Sequence, residues 1–182
     1  LLDRRQFDAL PEVPNVFYLA AMKFGATGQE SRTWAMNAYL PGMVCEKYRR
    51  SRIVSYSTGN VYGLVPVDGP GSQETDAPRP DADYAMSCVG RERIVTYFSQ
   101  TLDIPSCLLR LNYATEPRYG VIVDVADQIL AGRPVDVTMG YFNAIWQGDS
   151  NAMTLRALEH VAVPTRIFNI AGPDKLRVRD VA

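Results

Sequence analysis

The chain has 182 residues and 47% of them are apolar, which is enough for one sizeable hydrophobic core. Its 19 basic and 20 acidic residues nearly cancel, and the main basic cluster is Arg49, Arg50 and Arg52, so the charge pattern favours binding to neither nucleic acid nor membranes. No apolar run reaches the roughly 20 residues that span a bilayer, and the first residues lack the layout of a signal peptide, so we expect a globular, cytoplasmic protein.

Strand-like and helix-like segments alternate along the chain, which predicts an α/β protein with a mainly parallel sheet. In chain order we expect a helix at 4–10 capped by Asp3 and Gln6, a strand at 15–21, a helix at 31–50 weakened by Pro41, a strand at 53–57, an irregular loop at 64–83, a helix at 84–100, a strand at 107–112, a helix at 121–131, a strand at 166–170 and a helix from Arg179. Loops as long as 64–83 in compact domains are usually functional.

Cysteine and histidine are too sparse to predict a metal site. Cys45, Cys88 and Cys107 are widely spaced and odd in number, so we expect reduced thiols rather than a disulfide framework or a zinc site. The one histidine, His160, follows a helix-like segment, and a catalytic triad would depend on it alone. A surface or helix-end position is the better interpretation.

The segment from Arg52 to Glu92 carries the most specific pattern. An apolar strand ends in S-T-G-N-V-Y-G at residues 57–63, and Tyr84 opens a helix about 20 residues later. This places hydroxyl groups at the carboxyl end of a strand, where α/β proteins bind ligands. The order resembles the active-site half of the extended short-chain dehydrogenase/reductase family, the NAD-dependent epimerase/dehydratase group. The resemblance gives Thr58 the role of the catalytic Ser/Thr, with Ser57 beside it, and Tyr84 that of the catalytic tyrosine.

Other segments extend the resemblance across the chain. N-V-F-Y-L-A-A at residues 15–21 is similar to a family strand in which small residues, here Ala20 and Ala21, let the backbone approach the cofactor, and Tyr18 stands where histidine is common. Lys23 falls where some members carry a lysine near the cofactor. Asn37 matches a helix asparagine that holds a proton-relay water, although a surface role explains it equally well.

The later matches concern the loop, the central helix and two strands. Glu74, Pro78 and Pro80 are similar to the family's E-x-x-P-x-x-P, and Glu92 to its helix glutamate. L-L-R-L-N at 108–112 resembles the strand that precedes the nicotinamide contacts, which makes Asn112 and Tyr113 candidate cofactor residues, with Asn112 one place earlier than usual. F-N-I-A-G at 168–172 resembles a late strand of the sheet.

One departure from the family concerns the acidity of the tyrosine. In the family, tyrosine takes a proton from a substrate hydroxyl as hydride leaves for the nicotinamide, or returns one in reduction, while the Ser/Thr holds the oxygen. A free phenol has a pKa of about 10, so about one molecule in a thousand is ionised at pH 7. The family's lysine, four residues after the tyrosine, lowers the pKa of the phenol. A shift of three pKa units corresponds to about 4 kcal/mol, which a close positive charge in a shielded site can supply. The same lysine also binds the nicotinamide ribose. This chain has Cys88 at that position.

Several interpretations of Cys88 and its neighbours remain open. Arg91, seven residues after Tyr84 and on nearly the same helix face, could supply the charge, or it could face solvent or an acidic partner. Cys88 could be a nucleophile with a lowered pKa, or a small buried residue beneath the cofactor. G-A-T-G, Gly25 to Gly28, could be a pyrophosphate loop or a plain flexible loop, because its third glycine is replaced by Ser31.

The resemblance implies a Rossmann-like, doubly wound parallel sheet with part of a smaller C-terminal substrate-binding region, divided here as residues 1–118 and 119–182. It implies a chain truncated at both ends, with NAD or NADP as cofactor. The expected protein is an oxidoreductase, epimerase or dehydratase acting on a hydroxyl or carbonyl of a sugar-like or nucleotide-sugar substrate. The alternative is a catalytically impaired member that uses the dinucleotide as a regulatory or structural ligand. By analogy, the helices at 31–50 and 84–100 would form a homodimer.

Overall fold

The computed structural model describes residues 1–23 and 27–182. The helices are α1 (Arg4–Asp8), α2 (Glu30–Trp34), a π-helical segment (Ala35–Tyr39), α3 (Leu40–Lys47), a 3₁₀ turn (Gly59–Tyr62), α4 (Ala82–Leu102), α5 (Val121–Leu130), α6 (Gln147–Ala157), a second 3₁₀ turn (Leu158–His160) and α7 (Val178–Val181). The strands are β1 (Asn15–Tyr18), β2 (Arg52–Thr58), β3 (Ser106–Leu111), β4 (Tyr113–Thr115), β5 (Tyr141–Phe142), β6 (Ala144–Trp146), β7 (Arg166–Ile170) and β8 (Leu176–Arg177).

The main sheet has the order β1-β2-β3-β7, and every neighbouring pair in it is parallel. β2 and β3 lie in the middle and are buried along almost their whole length. Strands covered on both faces are expected to be largely apolar, and here the apolar stretches Ile53–Val54 and Cys107–Leu109 are interrupted by buried polar residues such as Ser55, Ser57 and Arg110. The predicted α/β architecture with a parallel sheet is confirmed.

Two hydrophobic clusters cover the two faces of this sheet. Ile53 and Leu108 point to one face, where they pack with α3 and α4 residues such as Leu40 and Val95. The next residues along the same strands point to the other face and pack with α6 and β6 in a second cluster, which includes Val54, Leu109, Ile145 and Ala157. The alternation follows from the two-residue period of a strand.

The helical run from Glu30 to Lys47 is continuous across Pro41. The five residues Ala35–Tyr39 form a π turn directly before α3, and Pro41 lies buried in the first turn of α3. A proline costs little there, because the first helical positions have N–H groups without α-helical partners. The π turn therefore lets the helix restart at Pro41, and it holds Asn37 at the bulge.

The C-terminal part contributes both to the main sheet and to small sheets of its own. β7 joins the main sheet beside β3, as the sequence predicts for residues 166–170. β4 pairs with β6 in parallel, and β5 pairs with β8 antiparallel. Strands of two or three residues are too short for a periodic pattern, which is why the sequence analysis missed them. The division at residues 118 and 119 stays a prediction.

The predicted glycine loop, Gly25 to Gly28, extends into residues outside the described part of the chain. Within the described part, none of the helices combines the length and apolar character needed to cross a membrane. His160 ends the second 3₁₀ turn, in agreement with the predicted helix-end position, and its ring contacts Phe168.

Candidate functional site

Thr58 and Tyr84 meet at the carboxyl edge of the main sheet. Thr58 is the last residue of β2, and its Oγ1 accepts a hydrogen bond from the backbone N–H of Asn60 at 3.2 Å, which caps the following 3₁₀ turn. Tyr84 lies in the first turn of α4, half-buried, with its phenol close enough to the Thr58 side chain for the two to interact. The structure thus brings together two hydroxyls that are 26 positions apart in the sequence.

The surroundings of Tyr84 keep its phenol protonated. Burial is the largest influence and raises the pKa of Tyr84 well above its ordinary value, and the neighbouring Cys88 raises it further. The hydrogen bond with Thr58 and the charge of Arg91 act in the opposite direction but do not reverse the shift. With no other molecule bound, the phenol of Tyr84 is therefore protonated at neutral pH, and in that state it can donate a proton but not accept one.

Cys88 lies one helical turn after Tyr84 and is buried. Burial raises the pKa of its thiol, against the lowering influence of Arg91, a hydrogen bond with Tyr84 and Lys23. A raised pKa disfavours the thiolate, so the environment does not favour a nucleophilic cysteine. The alternative, a small residue packed beneath the site, fits its contacts with Val61 and Tyr62.

Arg91 lies beneath the site as a structural crosslink. Its side chain is buried, and it donates hydrogen bonds to the backbone carbonyls of Ala20 at 3.2 Å, Asn37 at 3.1 Å and Tyr56 at 2.7 Å. Its guanidinium also lies 5.4 Å from the ring centroid of Tyr18. These partners are carbonyl oxygens rather than solvent or a carboxylate. The predictions that Arg91 faces solvent or pairs with an acidic residue were therefore wrong.

Asn37, the predicted relay residue, is fully buried in the π turn. Its Oδ1 accepts from the N–H of Met22 at 2.8 Å and from Arg91 at 3.1 Å. Its Nδ2 donates to the carbonyl of Met22 and to Oγ of Ser87, both at 3.0 Å. These bonds use both amide protons and both lone pairs of the carbonyl oxygen. The relay role stays a prediction, while the contacts are those of a brace between β1 and α4.

A buried ion pair between Glu92 and Arg110 connects α4 to β3. Arg110 donates to Oε1 of Glu92 at 2.9 Å and to Oε2 at 2.7 Å, in bidentate geometry. Both side chains are at most 5% exposed. Ser57, a predicted cofactor residue, donates its hydroxyl to Oε1 of Glu92 at 2.6 Å. Burial lowers the pKa of Arg110, but the hydrogen bonds to Glu92 and Tyr62 outweigh burial and raise it, so the guanidinium stays charged.

The same arginine holds the long loop at residues 63–81 against the sheet. Arg110 Nη1 donates to the phenol oxygen of Tyr62 at 2.6 Å, and Tyr62 donates to Oδ1 of Asn169 at 2.8 Å. The backbone N–H of Asn169 donates to Oε1 of Glu74 at 2.7 Å. The sequence predicted no structural role for Glu74. In the structure its carboxylate accepts this hydrogen bond and thereby holds the loop against β7. The roles of Arg110, Tyr62 and Asn169 were not predicted from the sequence, although all three residues lie within the motifs that resemble the family.

The remaining predicted cofactor residues border the same edge. Ala20 and Ala21 follow β1, and Lys23 comes next, with its Nζ 5.9 Å from the ring centroid of Tyr84 and 5.3 Å from that of Tyr113. Asn112 lies directly over Gly59, where a Cβ would overlap its side chain. These residues follow the carboxyl ends of β1 and β3, and Lys23 contacts the ring of Tyr84, while Ser57 and Asn37 are buried.

Comparison with known proteins identifies the family. The model of the NAD dependent epimerase/dehydratase family matches residues 3–171. The chain belongs to this family. Among curated proteins, none matches the chain.

Solved structures of this family share the fold. UDP-glucose 4-epimerase from Thermus thermophilus, solved with NAD, has a TM-score of 0.78 and 24% identity over 97% of this chain and 62% of that one. UDP-glucuronic acid 4-epimerase from Bacillus cereus, solved with NAD, has a TM-score of 0.77 and 20% identity over 92% and 57%. RMD from Pseudomonas aeruginosa, complexed with NADPH, has a TM-score of 0.77 and 19% identity over 92% of this chain and 63% of that one. The Rossmann-like fold class is thereby confirmed, and the chain spans about 60% of the length of these structures.

We predict that Glu92→Gln destabilises the protein by about 3–5 kcal/mol, because Arg110 is then left buried without a counter-charge. Urea denaturation followed by circular dichroism measures the change. The matched control is Asp8→Asn, which breaks the exposed pair between Arg4 and Asp8 and should change stability by less than about 1 kcal/mol. Equal effects of the two substitutions would contradict the assigned role of the buried pair.

Proposed function

We propose that this chain forms the active-site part of an NAD(P)-dependent oxidoreductase, epimerase or dehydratase that acts on a hydroxyl or carbonyl of a sugar-like substrate. The observation that carries the proposal is the meeting of the Thr58 and Tyr84 side chains at the carboxyl edge of a parallel sheet. Family membership supports the cofactor class. The names of the similar structures support a nucleotide sugar as the substrate, since they include enzymes that act on UDP-glucose and UDP-glucuronic acid.

The residues around Tyr84 fit the nicotinamide half of a dinucleotide. Ala20 and Ala21 are small and leave the backbone after β1 open to a flat ring, and Ala21 is exposed. Lys23 and Tyr113 add a cation and an aromatic face on the same side. The similar structures carry NAD or NADPH according to their names, and we leave the proposal at either cofactor. When bound, the nicotinamide supplies a hydride acceptor or donor next to the substrate carbon.

The chain's own residues then handle the proton and the substrate oxygen. Thr58 donates a hydrogen bond to the reacting oxygen and positions it beside the phenol of Tyr84. Tyr84, protonated at neutral pH, gives a proton to a carbonyl oxygen in the reducing direction and takes it back from the hydroxyl in the oxidising direction. Asn37 and Arg91 fix the strand end and the helix between which the substrate would lie.

Tyr84→Phe should lower turnover of the natural-length protein by about 10²–10⁴-fold, because it removes the group that transfers the proton. Binding of NAD, measured by isothermal titration calorimetry, should change little. Tyr97→Phe, which removes an exposed phenol on the same helix, is the matched control and should keep full activity. Unchanged turnover in Tyr84→Phe would refute the proposed role.

The second candidate function is that of a family member that binds the dinucleotide as a regulatory or structural ligand without turnover. Cys88 favours it, because it replaces the lysine that lowers the tyrosine pKa in the family, and burial leaves the pKa of Tyr84 raised. Replacing the buried thiol with an ammonium separates the two candidates.

Under the enzymatic proposal, the natural protein oxidises or reduces at least one member of a panel of nucleotide sugars, and Cys88→Lys raises the rate of oxidation at pH 7. The rise is expected because an ammonium beside Tyr84 lowers its pKa and increases the phenolate fraction. Absorbance of the reduced nicotinamide follows the reaction. A natural protein that is inactive across the panel, together with an active Cys88→Lys variant, would favour the regulatory function instead.

We also propose that the protein is a cytoplasmic homodimer. Tyr39 and Tyr97 are 61% and 60% exposed on the neighbouring helical segments that the family resemblance places at a dimer interface. All three cysteines are free and buried, which suits a reducing compartment.

The dimer proposal predicts that Tyr39→Glu combined with Tyr97→Glu halves the mass seen by sedimentation velocity, because charge at an apolar interface opposes association. Leu130→Glu places the same charge on an 86% exposed residue of α5 and should leave the mass unchanged. A monomeric natural protein would exclude the proposal.

A further inference from the structure

We propose that Lys23 supplies the positive charge beside Tyr84 that this chain lacks at position 88. This inference rests on the proposed function, because it concerns the acid/base residue of that reaction. Lys23 acts through Tyr84 and is therefore a positioning residue. Its charge comes from the segment after β1, across the carboxyl edge of the sheet from α4.

The ammonium of Lys23 contacts two aromatic rings. Nζ of Lys23 lies 5.9 Å from the ring centroid of Tyr84 and 5.3 Å from that of Tyr113, which is within the range of cation–π contacts. Tyr113 starts β4, directly after β3, so the two rings approach the lysine from different elements. A side chain held against two ring faces keeps its charge near the phenol while its end reaches solvent.

The field of Lys23 also reaches the position of the family's lysine. The ammonium lowers the pKa of the Cys88 thiol, although burial dominates that thiol. Cys88 lies one helical turn after Tyr84 and packs in the same buried cluster. The same ammonium lies 5.9 Å from the ring centroid of Tyr84.

The other charged groups near Tyr84 do not fill this role. Arg91 is buried, and its donors are held by the carbonyls of Ala20, Asn37 and Tyr56. Glu92 is paired with Arg110 and raises the pKa of Cys88. Cys88 raises the pKa of Tyr84, and Thr58 lowers it only through a hydrogen bond. Among the described residues around the phenol, Lys23 is the cation on its open side.

An exposed lysine would act differently from a buried one. Lys23 is exposed at the edge of the site, so dissolved salt screens its charge. The acidity of Tyr84 should then depend on ionic strength, and a lysine at the buried position 88 should remove most of that dependence. The geometry therefore predicts a salt-sensitive acid/base residue.

The test measures the ionisation of residue 84 directly in the natural-length protein without added dinucleotide. Tyr84 is replaced by 3,5-difluorotyrosine, whose electron-withdrawing fluorines make the phenol more acidic, so that it titrates where lysine is still charged, and ¹⁹F NMR follows the titration. Lys23→Met should raise the pKa of this phenol by about one unit, a tenfold change in its ionisation constant, as expected for a unit charge at such a distance in partly screened surroundings. Lys23→Arg should retain the natural value.

Rescue separates the effect of charge from that of structure. Adding Cys88→Lys to Lys23→Met should bring the phenol pKa back down, and Lys23→Gln should behave like Lys23→Met. A phenol pKa that is the same in the natural protein, Lys23→Met and Lys23→Gln overturns the inference. A shift that persists in Lys23→Arg or in the Cys88→Lys double variant also overturns it, because the effect would then not come from the charge.

Turnover distinguishes this inference from the proposed function. If the protein is active, Lys23→Met should oxidise substrate about tenfold more slowly at pH 7, and the deficit should shrink at high pH, where lysine ammonium groups lose their proton. If no variant turns over any nucleotide sugar, the proposed function fails, and the NMR titration still decides the role of Lys23. If Tyr84→Phe abolishes turnover and Lys23→Met changes neither turnover nor the titration, the function stands and this inference falls.

Discussion

The buried ion pair between Glu92 and Arg110 fixes helix α4 on the sheet, and the geometry of the site depends on it. Tyr84, Cys88, Arg91 and Glu92 are spaced by four, three and one residues, so they line one side of α4 along the edge of the sheet. A helix that carries a reactive phenol at its first turn needs a fixed rotation about its own axis. The bidentate pair, closed by the hydroxyl of Ser57, sets that rotation two turns further along.

This arrangement also explains why so much polar chemistry is buried in a sheet of apolar strands. Arg110 lies in β3 among leucines, and it is tolerated because Glu92, Tyr62 and the loop carbonyl of Glu74 satisfy its donors. Each of these partners belongs to a different segment. The network therefore specifies how the 3₁₀ turn, the long loop and α4 come together, and the cost of desolvating the charges is offset by hydrogen bonds at each end.

The sequence allowed the sheet, its helices and the loop to be predicted because long periodic segments carry strong signals. The motif from 57 to 63 and its distance to Tyr84 indicated the meeting of Thr58 with the phenol. The partners of Arg110 and Arg91 could not be predicted in this way, since an arginine looks alike in a sequence whether it faces water or four oxygens of the protein. Lys23 was expected near the cofactor, but its approach to Tyr84 depends on the path of the chain after β1, which no local pattern encodes.

The π turn around Asn37 has a consequence for that path. By bonding to both the N–H and the carbonyl of Met22, the Asn37 amide pairs with one residue of the irregular segment after β1 in the way that a neighbouring strand would. The backbone is thus held in place at Met22, one residue before Lys23. The side chain of Lys23 therefore extends from a fixed backbone position. A π turn is in effect a single-residue insertion in a helix. Here that insertion helps to determine where the ammonium of Lys23 lies relative to Tyr84.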